Sequence, residues 1–125
     1  MPPDIEPRKN SWPNAFRCAV RGIGWGFRRQ RNFAVHLTMA LVVQVVAAAL
    51  GVSLLEWCLL LLCVAAVLVA ELFNTALEHL ARAITHEQNE ELRDALDTSS
   101  GAVLLAAAAA ALVGCLIFAH RLGWF

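Results

Sequence analysis

Three long apolar stretches dominate the chain. Residues 33–52 (FAVHLTMALVVQVVAAALGV) are twenty consecutive uncharged positions. A helix of that length spans about 30 Å, the thickness of one hydrocarbon core. Residues 54–84 open apolar apart from Glu56 and turn polar at ELFNTALEHLARAI, and residues 101–119 are apolar again. The pattern predicts transmembrane helices over 33–52, 54–84 and 98–121, with a short turn at Gly51-Val52-Ser53. Asp97, Thr98 and Ser99 are candidate caps for the third helix. The acidic stretch THEQNEELRDALD (85–97) reads as a cytoplasmic connection. Ahead of the spans, Pro2, Pro3 and Pro7 make residues 1–12 a flexible tail. Over 13–31 the period is helical: Phe16, Ala19, Val20, Ile23 and Phe27 share one face, and Arg17, Arg21 and Arg28 another. Asn10 or Ser11 would cap this helix, with Pro13 in its first turn. Such a basic amphipathic helix lies on a membrane surface, or packs on protein. The fold expected is an all-α membrane protein: one amphipathic surface helix followed by three transmembrane helices, forming a single membrane domain over 13–125.

Composition sharpens this picture. Of 125 residues 59% are hydrophobic and 16% charged, and mean hydropathy is +0.60. A soluble domain carries about 45–50% apolar and about 25% charged residues. The zero net charge excludes the basic balance of a nucleic-acid binder. It also hides an asymmetry. Residues 1–32 hold seven basic and two acidic side chains, and residues 33–125 hold three basic and eight acidic ones. The positive-inside rule then puts the N-terminus in the cytoplasm, and three spans put the C-terminus outside. The polar, proline-containing start and the late first apolar run predict no cleavable signal peptide. Cys18, Cys58, Cys63 and Cys115 form no C-x-x-C pair and read as buried apolar thiols. Gly22-Ile23-Gly24-Trp25-Gly26 lacks the preceding strand and the lysine of a phosphate loop. It reads as a place of close packing or local flexibility, and Trp25 as an interfacial anchor.

The chemistry falls on the second span. Glu71, Asn74, Glu78 and Arg82 stand at i, i+3, i+7 and i+11, one narrow helix face bordered by Thr75. An acidic side chain at the centre of a span costs about 3 kcal/mol, so intramembrane carboxylates are functional candidates. Two acids and a carboxamide on one stripe can bind a divalent cation through hard oxygens, accept a proton from a hydroxyl, or pass protons. A lone Glu would be read as a packing contact made through hydrogen bonds. Three such groups on one face favour a site.

ELFNTALE (71–78) resembles the E-x-x-N-[ST]-A-x-E signature of the small prokaryotic membrane lipid kinases, the diacylglycerol kinase and undecaprenol kinase family. Further along, Asp97 and SSGAVLLAA (99–107) are similar to the start of that family's third helix. Upstream, AFRCAVRGIGWGF (15–27), Asn32 and His36-Leu37 look more like the undecaprenol kinase branch than the diacylglycerol kinase branch. The likeness spans roughly residues 12–120. It implies a homotrimer in the prokaryotic cytoplasmic (inner) membrane, transferring the ATP γ-phosphate to a lipid hydroxyl with Mg2+. By that resemblance Glu71 is the general base, Asn74 positions substrate or metal, and Glu78 is a metal ligand. Asp97 belongs to the nucleotide region, with Arg17 and Arg21 facing phosphate or anionic headgroups. His36 and Asn32 stand at the lipid entrance.

Three positions depart from the family's pattern. Gln30 replaces a metal-binding Glu and offers a neutral oxygen. Leu96 replaces a Lys, and Arg82 replaces an Asp. Arg82 is therefore expected to take over the missing lysine's contact with phosphate. The acceptor expected is a polyprenol such as undecaprenol, or else diacylglycerol. The alternatives are a catalytically silent lipid-binding relative and, last, a small proton or ion conductor.

Overall fold

The computed structural model describes residues 11–29, 31–87 and 89–125. Four helices account for nearly all of them: α1 (Trp12–Arg29), α2 (Arg31–Ala49), α3 (Leu54–Ile84) and α4 (Glu90–Arg121). Asn10, most of the N-terminal tail and Gln30 lie outside the described residues. α2, α3 and α4 are each long and apolar enough to cross a membrane. At 31 residues α3 is about 46 Å long, well beyond a hydrocarbon core of about 30 Å.

The turn between α2 and α3 is set locally. Gly51 has φ +60°, which a residue without Cβ adopts at no steric cost. Ser53 then caps α3 in a reciprocal capping box. Its hydroxyl accepts from the Glu56 amide at 3.4 Å, and Glu56 accepts from the Ser53 amide at 2.6 Å. α4 starts earlier than its apolar pattern. Asn89 is the N-cap, accepting from the Leu92 amide at 2.9 Å, and Glu90 and Glu91 complement the helix dipole in the first turn. The stretch 90–97 is therefore helical, and Asp97, Thr98 and Ser99 are interior rather than caps. Polarity marks where a helix leaves lipid, while the good helix formers of ELRDAL let the helix itself run on.

Consecutive spans run antiparallel. Glu56 at the start of α3 meets Arg121 at the end of α4, and Asn74 meets Ser99. His36 of α2 faces Glu71 of α3. At the far end, Ala47, Val52, Leu60 and Ile117 form a buried core with Val43, Trp57, Val113 and Phe118 packed on it. The Arg121 guanidinium closes that end on the Glu56 carboxylate, its Nε donating to both oxygens at 3.2 and 3.0 Å. α1 rests on the other end. Gly26 is buried so close to α3 that a Cβ there would stand 2.7 Å from Leu72 Cδ2, and Trp25 meets the His79 ring edge-on at 4.3 Å. The outward side chains of the spans are apolar and exposed, as are Phe16, Val20 and Ile23 of α1. The cysteines differ from expectation: all four are free and none is buried, with Cys58 and Cys115 on exposed helix faces. A thiol is apolar enough for a position facing lipid or another subunit.

Candidate functional site

The polar stripe of α3 divides into an inner and an outer part. Leu54 enters at the closed end. Glu71, seventeen residues on, stands about 26 Å along the axis, just inside the opposite edge of a hydrocarbon core. Glu78 lies about 10 Å further, at headgroup level.

The inner part is dry. Glu71, Asn74 and Thr75 are the buried polar residues of α3, each 5% exposed or less. Glu71 Oε2 faces His36 Nε2 at 3.7 Å, beyond hydrogen-bond length. Glu71 Oε1 and Thr75 Oγ1 are buried with no hydrogen-bond partner. A buried carboxylate oxygen without a donor is costly, and it is positioned to accept a proton from a group arriving in that space. His36 also lines an apolar cleft of about 460 Å³ between α2, α3 and α4. Met39, Val43 and Val67 wall it, and Ala107, Ala110, Ala111 and Gly114 of α4 leave it its room.

The outer part is a hydrogen-bonded relay. Asn74 Nδ2 donates to Glu78 Oε1 at 3.0 Å, and Arg82 Nη2 donates to Glu78 Oε2 at 3.2 Å. Ser99 and Ser100 of α4 reach Asn74 Oδ1 at 2.6 and 3.3 Å. Beyond them a second cleft, of about 470 Å³, is lined by Glu78, Ala81, Arg82, Thr85, Leu92 and Leu96. The first cleft is apolar and lies along the earlier turns of α3; the second, where Glu78, Arg82 and Thr85 stand beside three apolar side chains, is the more polar of the two.

His36, Glu71, Asn74, Glu78 and Arg82 thus stand along one line. The other expected site residues do not join it. Arg17 and Arg21 are exposed on α1, Asn32 is exposed at the start of α2, and Asp97 is exposed on α4; none lines either cleft. Gln30 falls outside the described residues. In the sequence Ser99 reads as a candidate cap and both serines as part of the stretch similar to the family's third-helix start, and nothing in it points across to Asn74.

No group of three or more His, Cys, Asp or Glu that could hold a metal ion occurs among the described residues. Glu78 is a single hard carboxylate, partly exposed beside a roomy polar cleft. That fits magnesium in its phosphate-bound form, where one or two carboxylates and the phosphate oxygens share the coordination.

Residues 17–118 match the prokaryotic diacylglycerol kinase family. A diacylglycerol kinase from Synechocystis is 39% identical over 118 residues, covering 88% of this chain and 67% of the relative. An undecaprenol kinase from Bacillus subtilis is 33% identical over 113 residues, covering 90% and 92%. No solved structure matches the chain.

Proposed function

Because the chain belongs to the prokaryotic diacylglycerol kinase family and is a membrane lipid kinase, we propose that it moves the γ-phosphate of ATP to the hydroxyl of a polyprenol. The observation that carries this reading is the unpartnered Oε1 of Glu71, whose other oxygen faces His36, a residue lining the apolar cleft. A long-chain alcohol enters from the bilayer with its tail along that cleft and its hydroxyl at Glu71. Glu71 Oε1 takes the hydroxyl proton as the oxygen bonds to the γ-phosphorus, and the bond from that phosphorus to the bridging oxygen breaks, releasing ADP. His36 borders the carboxylate and keeps the entrance from closing on itself.

The nucleotide occupies the polar cleft. Arg82 donates to Glu78 and lines that cleft where Leu96 offers no charge, so it contacts phosphate in place of a lysine. Glu78, with Gln30 as a neutral second ligand, would hold magnesium, which would supply charge neutralisation for the transferring phosphoryl group. Positioning and charge neutralisation are most of what this chemistry requires, so few protein groups suffice. Asn74 orients Glu78. Asp97, Arg17, Arg21 and Asn32 act around the nucleotide and headgroup rather than on the reacting atoms. The protein works as a homotrimer with its N-terminus in the cytoplasm, so that the exposed apolar faces of α2–α4 meet lipid and neighbouring subunits.

A radiolabelled ATP assay in detergent, offering undecaprenol and diacylglycerol side by side, tests this. Label is expected in the polyprenol at a higher kcat/KM. Preference for diacylglycerol overturns the acceptor assignment. No transfer to either favours a silent lipid-binding relative, for which no structural observation argues.

A further inference from the structure

Two adjacent hydroxyls of α4 sit between the same two acceptors. Ser99 Oγ is 2.6 Å from Asn74 Oδ1 and 2.8 Å from the Leu96 carbonyl. Ser100 Oγ is 3.3 Å from Asn74 Oδ1 and 3.0 Å from the same carbonyl. Each hydroxyl has one proton to give. The distances divide the work: Ser100 bonds back to the carbonyl four residues behind it, as serines in helices do, and Ser99 is left to donate to Asn74.

That donation has a direction. The Asn74 side chain has nearly the same shape either way round, so its neighbours decide which end points where. Glu78, as a carboxylate, only accepts, so the amide NH2 must face it, as it does at 3.0 Å. The amide oxygen must then face α4 and needs a donor there. Asn74 is 5% exposed, so water is a poor substitute. Ser99 supplies the proton, and the chain of bonds runs one way: Ser99 to Asn74, Asn74 to Glu78, with Arg82 on the other Glu78 oxygen.

We propose that Ser99 is a positioning residue of the kinase, fixing Glu78 through Asn74 from a different helix. This rests on the reading of Glu78 as the phosphate-side carboxylate of a lipid kinase. It ties the α3–α4 contact to the polar cleft through one of the bonds that hold Glu78. Ser99 touches neither clefted substrate nor reacting atom.

The test is a mutant cycle with a second, activity-free readout. Ser99→Ala is expected to slow transfer about threefold to tenfold, the worth of one hydrogen bond. In an Asn74→Ala background it should cause no further loss, and Ser99→Thr should restore the rate. Losses that multiply in the double variant mean that Ser99 acts independently of Asn74, and overturn the proposal. In parallel, the Asn74 side-chain NH2 pair is followed by 15N NMR in detergent micelles without nucleotide. Its signals should shift and exchange faster in Ser99→Ala and stay in place in Ser99→Thr. Unchanged signals in Ser99→Ala overturn the contact. If the parent protein transfers no phosphate, the kinase reading fails, while the NMR result still decides the Ser99–Asn74 bond.

Discussion

Glu71 and Glu78 share a helix face and differ in almost everything else. Glu71 has a side chain 3% exposed, one oxygen with no partner and the other 3.7 Å from an imidazole. Glu78 has a side chain 27% exposed with both oxygens accepting hydrogen bonds. Two carboxylates in such different surroundings suit different tasks: in the proposed reading the first accepts a proton, and the second holds positive charge in place. Arg82 belongs to the second task. Its guanidinium is mostly exposed and reaches Glu78 one turn away, so as a surface pair it adds little to stability. Its value lies in the cleft. Arg82→Ala should weaken ATP binding about tenfold, the worth of one charge-assisted hydrogen bond, with little change in thermal midpoint. Equal ATP affinity in the two proteins, measured by titration calorimetry in detergent, would remove Arg82 from the nucleotide site.

At the scale of elements, the helices are pinned at both ends by different means. The far end is closed by a packed apolar core, the Ser53 capping box and the Arg121–Glu56 contact, where one guanidinium spans both carboxylate oxygens. Glu56 therefore serves its own helix start and the end of α4 at once. Arg121→Ala should lower the thermal-unfolding midpoint in detergent. Arg121→Lys should recover only part of it, because a single ammonium cannot replace the planar fork; full recovery would reduce the contact to charge alone. The stripe on α3 was legible in the sequence because four polar side chains at helical spacing stand out against an apolar background. The start of α4 was not, since hydropathy reports the edge of the lipid and Asn89 sets the edge of the helix. Ser99 was hidden for a different reason. Its partner is 25 positions away, and a serine near a polar-to-apolar boundary looks like a cap until the packing of α3 on α4 is known.

Over the whole molecule, the chain separates two solvents along one helix. α3 is longer than a bilayer core requires, so a span counted from Leu54 leaves its last turns beyond about 30 Å of hydrocarbon. A lipid hydroxyl and a water-borne nucleotide can meet only near that crossing, and the crossing is where the polar stripe begins. The apolar cleft could not be read from the sequence, because its volume comes from Ala107, Ala110, Ala111 and Gly114 facing α2 and α3 across a gap. An alanine run on its own reads only as a good helix. The basic surface helix was legible as a periodic pattern, while its seat on α3 through Gly26 and Trp25 needed the fold. Glu71 is central: a buried carboxylate with one oxygen free of any hydrogen bond. The direct measurement is transfer of radiolabelled γ-phosphate from ATP to undecaprenol by the parent protein and by Glu71→Gln, each checked for the same oligomer size. Loss of a general base predicts a rate at least about a hundredfold lower with the assembly unchanged; turnover retained in Glu71→Gln would contradict it.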